Sequence, residues 1–313
     1  MILITGAAGY LGSHLALIFS ETNRNIIAFD SFETVSPEQT KVLKNFSNIQ
    51  FIEGSLINKN DINSVFEKYN ISSVIHLAGL SPQEEGISSP SKYYTYNLFA
   101  TLNLLDSMLK NNIKNLIFSS SCQIYGELLY QPVDEIHPQI PLNTFARTKM
   151  IVEKILDDYD KAYNLKSVRL RYYNQIGGFN QKMLELELEQ NLFNTNFNKS
   201  ILLCKATEQV NEDEFINIED LANAHFLALN YLERENISNA FNLGCDDTYD
   251  NKQTKTLLKK LLQKSTKKVN IKKAKTLLGW QPFFNLEKTL TLTNKQILEV
   301  ELKKANCINS YHL

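Results

Sequence analysis

The segment TGAAGYLG at residues 5–12 decides the fold. It follows a short apolar run at residues 2–4 and opens a helical pattern, so it predicts a turn between a strand and a helix. Gly6 would permit the tight turn, Gly9 would let a pyrophosphate approach the backbone, and Gly12 would allow close helix–strand packing. The free N–H groups and the dipole of the helix would then hold the phosphate charge. The segment therefore predicts a dinucleotide-binding turn of Rossmann type.

An acidic residue follows this turn at the expected distance. The second predicted strand, residues 25–30, ends in Asp30, which lies 18 residues after Gly12. Roughly 20 residues separate such a turn from a ribose-binding acid. A carboxylate there would accept hydrogen bonds from the ribose hydroxyls and repel a 2′-phosphate, which predicts NAD rather than NADP. The alternative is a structural glycine turn with Asp30 as a cap.

Strand and helix patterns alternate through the first half of the chain. Further strands are predicted at residues 49–53, 73–77, 115–119 and 168–171, with longer helices at about 91–111 and 145–163. This alternation predicts an α/β fold with a doubly wound parallel sheet. Residues 214–221 are predicted to return to the main sheet. The apolar edges of the two long helices either build a dimer interface or divide between core and solvent.

After Asn174 the pattern loosens, which indicates a second lobe. We predict an NAD-binding Rossmann domain from residues 1–173 and 208–240. A smaller, discontinuous C-terminal lobe, residues 174–207 and 241–313, would bind the substrate. Lysine-rich helices are predicted at 252–262 and 272–278, and a solvated outer face explains their charge better than nucleic-acid or membrane binding.

Composition narrows the class of protein. The chain has 313 residues, 43% hydrophobic and 21% charged, with a net charge of −1, so nothing favours nucleic acid or an anionic membrane. No apolar stretch approaches the roughly 20 residues that span a bilayer, and no signal peptide is predicted. The four cysteines form no CxxC pair, which argues against a disulfide framework or a metal site and fits a reducing cytoplasm.

Motifs spread over nearly the whole chain, in one consistent order, resemble those of the extended short-chain dehydrogenase/reductase family. The resemblance is greatest to its nucleotide-sugar 4-epimerase branch. The similar segments are residues 5–13, 30–31, 76–79, 97, 118–121, 124–126, 149–153, 171–174, 215–222, 241–244 and 278–282. This shared order is more specific than any single motif.

The resemblance implies a catalytic mechanism. Family members pass hydride from a sugar hydroxyl, usually at C4, to NAD, and a Tyr-x-x-x-Lys pair and a Ser handle the proton. Ser121 and Lys149 match that Ser and Lys, but Phe145 stands at the Tyr position. Phenylalanine has no proton to exchange. Three explanations stay open: an engineered Tyr-to-Phe change, another base such as water relayed through Lys149, or a non-catalytic cofactor binder.

The resemblance also implies binding residues. The cofactor contacts would be Gly6, Ala8, Gly9, Tyr10, Leu11, Gly12, Asp30, Ser31, Ser55, Leu56, Leu77, Ala78, Gly79, Asn97, Ser119, Ser120, Lys149 and Tyr172. The substrate contacts would be Ser121, Cys122, Gln123 and Asn174.

Departures from the family pattern narrow the range of substrates that the chain is predicted to use. Cys122 and Gln123 replace the Asp-Glu pair of the dehydratases, which argues against dehydration. The acidic stretch 211–214 stands where UDP-sugar epimerases carry a diphosphate-binding Arg, and a second Arg-bearing loop is missing near 269–271. Lysines such as Lys205, Lys272 or Lys273 would then hold the diphosphate, or the nucleotide differs, for example in a GDP-linked hexose or heptose.

The sequence thus predicts a cytoplasmic NAD-dependent 4-dehydrogenase or 4-epimerase of a nucleotide-activated sugar. Its setting would be bacterial surface-polysaccharide (capsular polysaccharide) biosynthesis, and a homodimer or homotetramer is expected. The alternative is a non-catalytic NAD-binding regulatory or scaffold protein.

Overall fold

The computed structural model describes residues 1–35, 40–41, 43–81, 89–178, 215–245 and 268–285, with isolated residues between 288 and 299. The predicted helix at 252–262 lies outside these residues, as does the asparagine-rich segment 179–200 of the predicted second lobe.

Nine strands form two sheets in the described part of the chain. They are β1 (Ile2–Thr5), β2 (Ile26–Asp30), β3 (Ile49–Glu53), β4 (Ser73–His76), β5 (Asn115–Ser119), β6 (Lys166–Arg171), β7 (Asn174–Ile176), β8 (Phe215–Asn217) and β9 (Asn239–Asn242). Seven of them make one sheet in the order β3-β2-β1-β4-β5-β6-β9, and every pairing in it is parallel. The predicted doubly wound parallel α/β sheet is therefore confirmed.

Helices cover both faces of this sheet. They are α1 (Tyr10–Glu21), α2 (Lys59–Lys68), α3 (Pro90–Tyr93), α4 (Ala100–Lys110), α5 (Thr144–Tyr163) and α6 (Ile218–Glu235). A π-helical turn, Tyr94–Phe99, joins α3 to α4, so the predicted helix at 91–111 is continuous but locally widened. Short 3₁₀ turns lie at Leu43–Asn45 and Cys122–Tyr125, and a second π turn at Ala274–Leu278.

Asparagine side chains begin three of the helices. Asn58, Asn143 and Asn217 each accept a hydrogen bond from a backbone N–H in the first turn, of α2, α5 and α6 respectively. Such a cap satisfies one of the four N–H groups that a helix start leaves without a partner. Asn164 and Asn236 end α5 and α6 in the left-handed region, which asparagine tolerates well.

The core lies on both faces of the central strands. Every residue of β1 and β2 is buried. Because successive side chains of a strand point to opposite faces, Ile4 packs in the cluster that contains α1 and α6 residues. Leu3 packs in the cluster on the other face, with residues of α2, α4 and α5. Burial on both faces explains why these strands are apolar at successive positions.

One strand prediction is wrong. Residues 215–217 do not return to the main sheet, because β8 pairs with β7 in a separate two-stranded parallel sheet. The edge beside β6 is occupied instead by β9, with Val168 opposite Asn239. A three-residue strand is too short for its hydrophobic pattern to specify its partner strand, so the tertiary structure decides the pairing. Strand β9 also crosses the predicted lobe boundary at residue 240.

No helix among the described residues combines the length and the apolarity needed to cross a membrane.

Candidate active site

The glycine turn lies between β1 and α1 with the geometry that the sequence predicts. Gly6 has φ +72°, and a Cβ on Gly12 would lie 2.2 Å from the Gly6 carbonyl oxygen. Among the residues that the structure describes, a Cβ on Gly9 would approach only that same oxygen, at 3.3 Å. No side chain caps the start of α1 at Gly9. The turn is thus closely packed toward the helix and open above Gly9, as an approaching pyrophosphate requires.

Asp30 ends β2 beside this turn. Its Oδ2 accepts a hydrogen bond from the Ala8 backbone N–H at 2.9 Å, and its Oδ1 accepts one from Phe32 N–H at 2.9 Å. Burial raises the pKa of the carboxyl group, which the backbone N–H groups of Phe32 and Ala8 partly oppose. Asp30 therefore caps the backbone and also lines the cavity beside the glycine turn, so its capping contacts leave the predicted ribose-binding role open.

A cavity of about 170 Å³ opens from the glycine turn along the carboxyl ends of the strands. Half of the predicted cofactor residues line it: Gly6, Gly9, Asp30, Ser31, Ser55, Leu56, Leu77, Ala78 and Gly79. Sequence reasoning missed the remaining lining residues, Phe29, Glu33, Thr34, Val35, Gly54, Ile57, Leu80, Tyr96 and Ala100. Glu33, Thr34 and Val35 follow Asp30 closely in the chain, so their position in the cavity lining could have been predicted from the sequence.

Four predicted contacts on α1 and its turn lie beside this cavity rather than in its lining. Ala8, Leu11 and Gly12 are buried, and Gly12 packs closely against the backbone of Gly6 and Ala7. The Tyr10 hydroxyl donates to the Gly177 carbonyl at 2.6 Å, so this side chain ties α1 to the segment after β7.

Asn97 holds a loop of the cavity in place. From the π turn, its Oδ1 accepts a hydrogen bond from Leu80 N–H at 2.7 Å. Its Nδ2 donates to Leu80 O at 3.2 Å and to the Thr148 hydroxyl at 3.1 Å. A Cβ on Gly79 would lie 2.8 Å from Asn97 Oδ1. The buried amide thus fixes the Leu77–Leu80 loop against helix α5.

His76, at the end of β4, is a core histidine. Its two ring nitrogens contact the hydroxyls of Thr5 and Thr101 at 2.7 and 2.8 Å. Burial lowers the pKa of His76 to about 3, with a further contribution from the charge of Lys149. A neutral, fully paired imidazole is a structural group.

Lys149 lies on α5, one turn after Phe145. Its Nζ donates to the Ser119 carbonyl at 2.8 Å and lies 4.8 Å from the centre of the Phe118 ring. The Phe145 ring centre is 5.8 Å from the same nitrogen. Burial lowers the pKa of Lys149 to about 8, against the opposing effect of Glu153. The lysine is therefore desolvated and close to the ring that stands at the Tyr position.

Ser121 begins the 3₁₀ turn after β5. Its Oγ accepts a hydrogen bond from Gln123 N–H at 3.1 Å and donates to the Tyr172 carbonyl at 3.5 Å. The Ser119 hydroxyl is hydrogen-bonded to the Tyr172 hydroxyl. Burial raises the pKa of Tyr172 to about 12. The Ser119–Ser121 segment is thus anchored to Tyr172, the residue after β6, on one side and to Lys149 on the other.

The Ser120 side chain is bound to a buried ion pair. Its hydroxyl donates to Glu153 Oε1 at 2.5 Å, and Glu153 also accepts from Arg171 Nε at 3.0 Å. Arg171 in turn donates to the Tyr125 hydroxyl at 2.8 Å. The Ser120 hydroxyl already donates its proton to Glu153 and cannot donate it to a cofactor as well. The side chain belongs to a buried ion-pair network under the site.

The predicted substrate residues lie on two elements. Cys122 is fully buried, and Gln123 Oε1 accepts from Asn143 Nδ2 at 3.2 Å, next to the start of α5. Asn174 lies on β7, opposite Phe215 of β8. Lys273 lies 5.4 Å from the centre of the Phe241 ring. Lys205 and the acidic stretch 211–214 lie outside the described residues.

No group of three or more His, Cys, Asp or Glu side chains suited to a metal ion occurs among the residues that the structure describes.

The pKa of Lys149 leads to a pH-dependence prediction. Its folded-state pKa of about 8 lies below the ordinary 10.5, so between these values the unfolded chain binds the extra proton. The free energy of unfolding should therefore rise with pH across this window, relative to a Lys149→Met variant. Urea denaturation at several pH values measures it. Lys154→Met, on the exposed face of the same helix, is the matched control, and parallel curves for native protein and Lys149→Met would contradict the prediction.

The glycine turn, the acid at the end of β2 and the Ser–Lys pair at the carboxyl edge of a parallel sheet define an NAD-binding oxidoreductase fold. The chain belongs to the NAD dependent epimerase/dehydratase family, whose model matches residues 2–244. It lies in the nucleotide-sugar epimerase branch of the extended short-chain dehydrogenases/reductases, as the sequence predicted, and NAD is its cofactor.

Three relatives show how similar the chain is to members of this branch. The chain is 29% identical to UDP-glucose 4-epimerase of Halalkalibacterium halodurans over 90% of each protein. It is 33% identical to that of Dictyostelium discoideum over 79% of this chain and 77% of the relative. The crystal structure of UDP-glucose 4-epimerase from Brucella ovis in complex with NAD superposes with a TM-score of 0.75 at 26% identity, covering 92% of this chain and 95% of that one.

The residues present fit NAD. The open space above Gly9 and the close packing at Gly12 suit a pyrophosphate at the start of α1. Asp30 lines the same cavity as Gly6 and Gly9, as a ribose-binding acid would. Lys149, to which the family resemblance assigns the nicotinamide ribose, is not in the lining of this cavity and donates to the Ser119 carbonyl.

Proposed function

We propose that this protein is an NAD-dependent oxidoreductase acting on the C4 hydroxyl of a nucleotide-activated sugar, as a 4-epimerase or a 4-dehydrogenase. One observation carries the proposal: Lys149 donates to the carbonyl of Ser119, the last residue of β5, at 2.8 Å, two residues before Ser121. NAD bound there would accept a hydride from the sugar carbon. The relatives, which are UDP-glucose 4-epimerases, favour the epimerase.

The proposed roles follow from the contacts. The Ser121 hydroxyl would donate a hydrogen bond to the reacting sugar oxygen, because its present hydrogen bond to the Tyr172 carbonyl is long, at 3.5 Å. Lys149 would hold the cofactor ribose with the N–H groups that it does not give to Ser119. Its positive charge would also favour loss of the hydroxyl proton nearby. Gln123, beside Asn143, would face the sugar.

In this proposal, Phe145 limits the rate of turnover. A positioned general base contributes typically 10²–10⁴-fold, and the phenyl ring supplies none. We therefore propose slow turnover, with water beside Lys149 as the proton acceptor.

Phe145 also favours a second candidate, a non-catalytic NAD-binding regulatory or scaffold protein. It would bind cofactor and nucleotide sugar through the same cavity without turnover.

The nucleotide is a finer part of the proposal. The relatives' UDP-sugars favour UDP. The missing arginines favour another nucleotide, such as that of a GDP-linked hexose or heptose. The biosynthesis of capsular or other surface polysaccharide is the proposed setting, because activated sugars are its precursors.

The proposed assembly is a homodimer or a homotetramer. The π turn and α3 pack against α5, and Tyr94, Phe99 and Tyr163 on these elements are 36%, 51% and 50% exposed. Exposed aromatic residues are common in protein interfaces. Analytical ultracentrifugation tests this, and a monomer at micromolar concentration would contradict it.

The test of function is a product analysis with NAD-loaded protein and UDP-glucose, UDP-galactose or GDP-mannose. Slow interconversion of the 4-epimers without a lasting reduced-nicotinamide band is the expected result. A growing band with release of a keto sugar identifies the dehydrogenase instead. Saturable sugar binding with no product, in the native protein and in Phe145→Tyr alike, would overturn the enzyme and support the binder. Lys149→Met is the negative control.

A further inference from the structure

Two side chains meet across one end of the cofactor cavity. The Tyr96 hydroxyl donates to Glu33 Oε2 at 2.7 Å. Glu33 follows β2 by three residues, whereas Tyr96 lies in the π turn between α3 and α4. Both residues line the cavity, and the bond joins segments that are 63 residues apart in the chain. The hydrogen bond is therefore a tertiary link between two walls of the cavity.

The cavity end that they share is the adenosine end. Gly6 and Gly9, at the pyrophosphate position, line the same cavity, and so does Asp30, at the ribose position. The charge of Glu33 contributes to the raised pKa of Asp30, which places the two carboxylates near each other. Ser55 and Leu56 line the cavity as well. An adenosine bound between these groups would lie beside the Tyr96–Glu33 pair.

We propose that the Tyr96–Glu33 hydrogen bond is a strap across the adenosine end of the cavity that slows the release of NAD. In this arrangement the two walls would have to separate before the adenosine end of NAD leaves, and their separation would break the bond. π-helical turns are frequently found at functional sites, and this one places Tyr96 at the cavity while Asn97 faces the Leu80 loop. The proposal concerns cofactor retention and does not depend on which sugar is bound.

The strap joins the carboxyl group of Glu33 to the phenol of Tyr96. The hydrogen bond to Glu33 raises the pKa of the Tyr96 hydroxyl, so the phenol keeps its proton at neutral pH. Bonds to charged groups are stronger than neutral ones, but both side chains are accessible to water, which reduces the effect. The expected change on breaking the bond is therefore modest, about 3- to 10-fold in the dissociation rate.

The experiment is stopped-flow displacement of bound NADH by excess NAD, followed by nicotinamide fluorescence. Tyr96→Phe and Glu33→Ala should each release NADH about 3- to 10-fold faster than the native protein. The double variant should match either single variant, because both remove one shared interaction. Tyr130→Phe removes a similar exposed hydrogen bond, from the Tyr130 hydroxyl to Asp134 Oδ1 at 2.7 Å, outside the cavity lining. It is the matched control and should leave the rate unchanged.

Glu33→Gln separates the bond from the charge, since its amide oxygen still accepts from Tyr96. The strap predicts a dissociation rate closer to native than that of Glu33→Ala. Unchanged release in both Tyr96→Phe and Glu33→Ala would overturn the proposal. So would two single effects that multiply in the double variant. If Glu33→Gln equals Glu33→Ala and only NADP affinity rises, the charge alone acts and the strap is likewise rejected.

Discussion

Phe145→Tyr should raise turnover on the nucleotide sugar by about 10²–10⁴-fold, the usual contribution of a positioned general acid–base group. Position 145 precedes Lys149 by one helical turn, so both side chains project from the same face of α5. The Phe145 ring centre already lies 5.8 Å from Lys149 Nζ. A hydroxyl on that ring would lie close to a positive charge, which lowers the pKa of a phenol.

The measurement is kcat for both proteins with the same sugar, together with the affinity for NADH. Because the added group changes proton transfer only, NADH affinity should stay within about twofold while kcat rises. Phe145→Tyr combined with Lys149→Met is the control, and most of the gain should be lost in it. A Phe145→Tyr protein that binds NADH normally yet stays inactive would speak against an enzyme at this site.

Glu153→Ala should lower the free energy of unfolding by about 3–5 kcal/mol, the cost of breaking a buried ion pair at one partner. Glu153 and Arg171 are 2% and 4% exposed. Glu153 accepts two hydrogen bonds from Arg171 and one from Ser120. Burial alone would lower the pKa of Arg171, but the bonds to Glu153 outweigh it and raise the pKa. Removing the carboxylate leaves this buried cation without its main partner.

Urea denaturation measures the change. Glu67→Ala is the matched control, because Glu67 pairs with Lys110 on a helix surface where both side chains are 63% exposed. An exposed pair of this kind contributes roughly 0–1 kcal/mol. Equal losses in the two variants, or a loss below about 1 kcal/mol for Glu153→Ala, would show that the buried network does not stabilise the fold as argued.

The sequence alone determined the features that depend on short-range chemistry. A glycine turn at residues 5–12 must follow a strand and open a helix, and an acid about 20 residues later must end the next strand. Strand and helix alternation then required a parallel sheet. The pair Ser121 and Lys149, and the phenyl ring at Phe145, could likewise be identified by spacing and by family resemblance.

The tertiary structure decided which distant segments meet. Strand β8 pairs with β7, and β9 completes the main sheet, because such short strands carry too little periodicity to select a partner. Residue type did not reveal that the hydroxyl of Ser120 is bound by Glu153, or that Tyr96 reaches Glu33. These contacts join residues 33 and 63 positions apart, and a hydrogen bond between such positions exists only once the chain has folded around them.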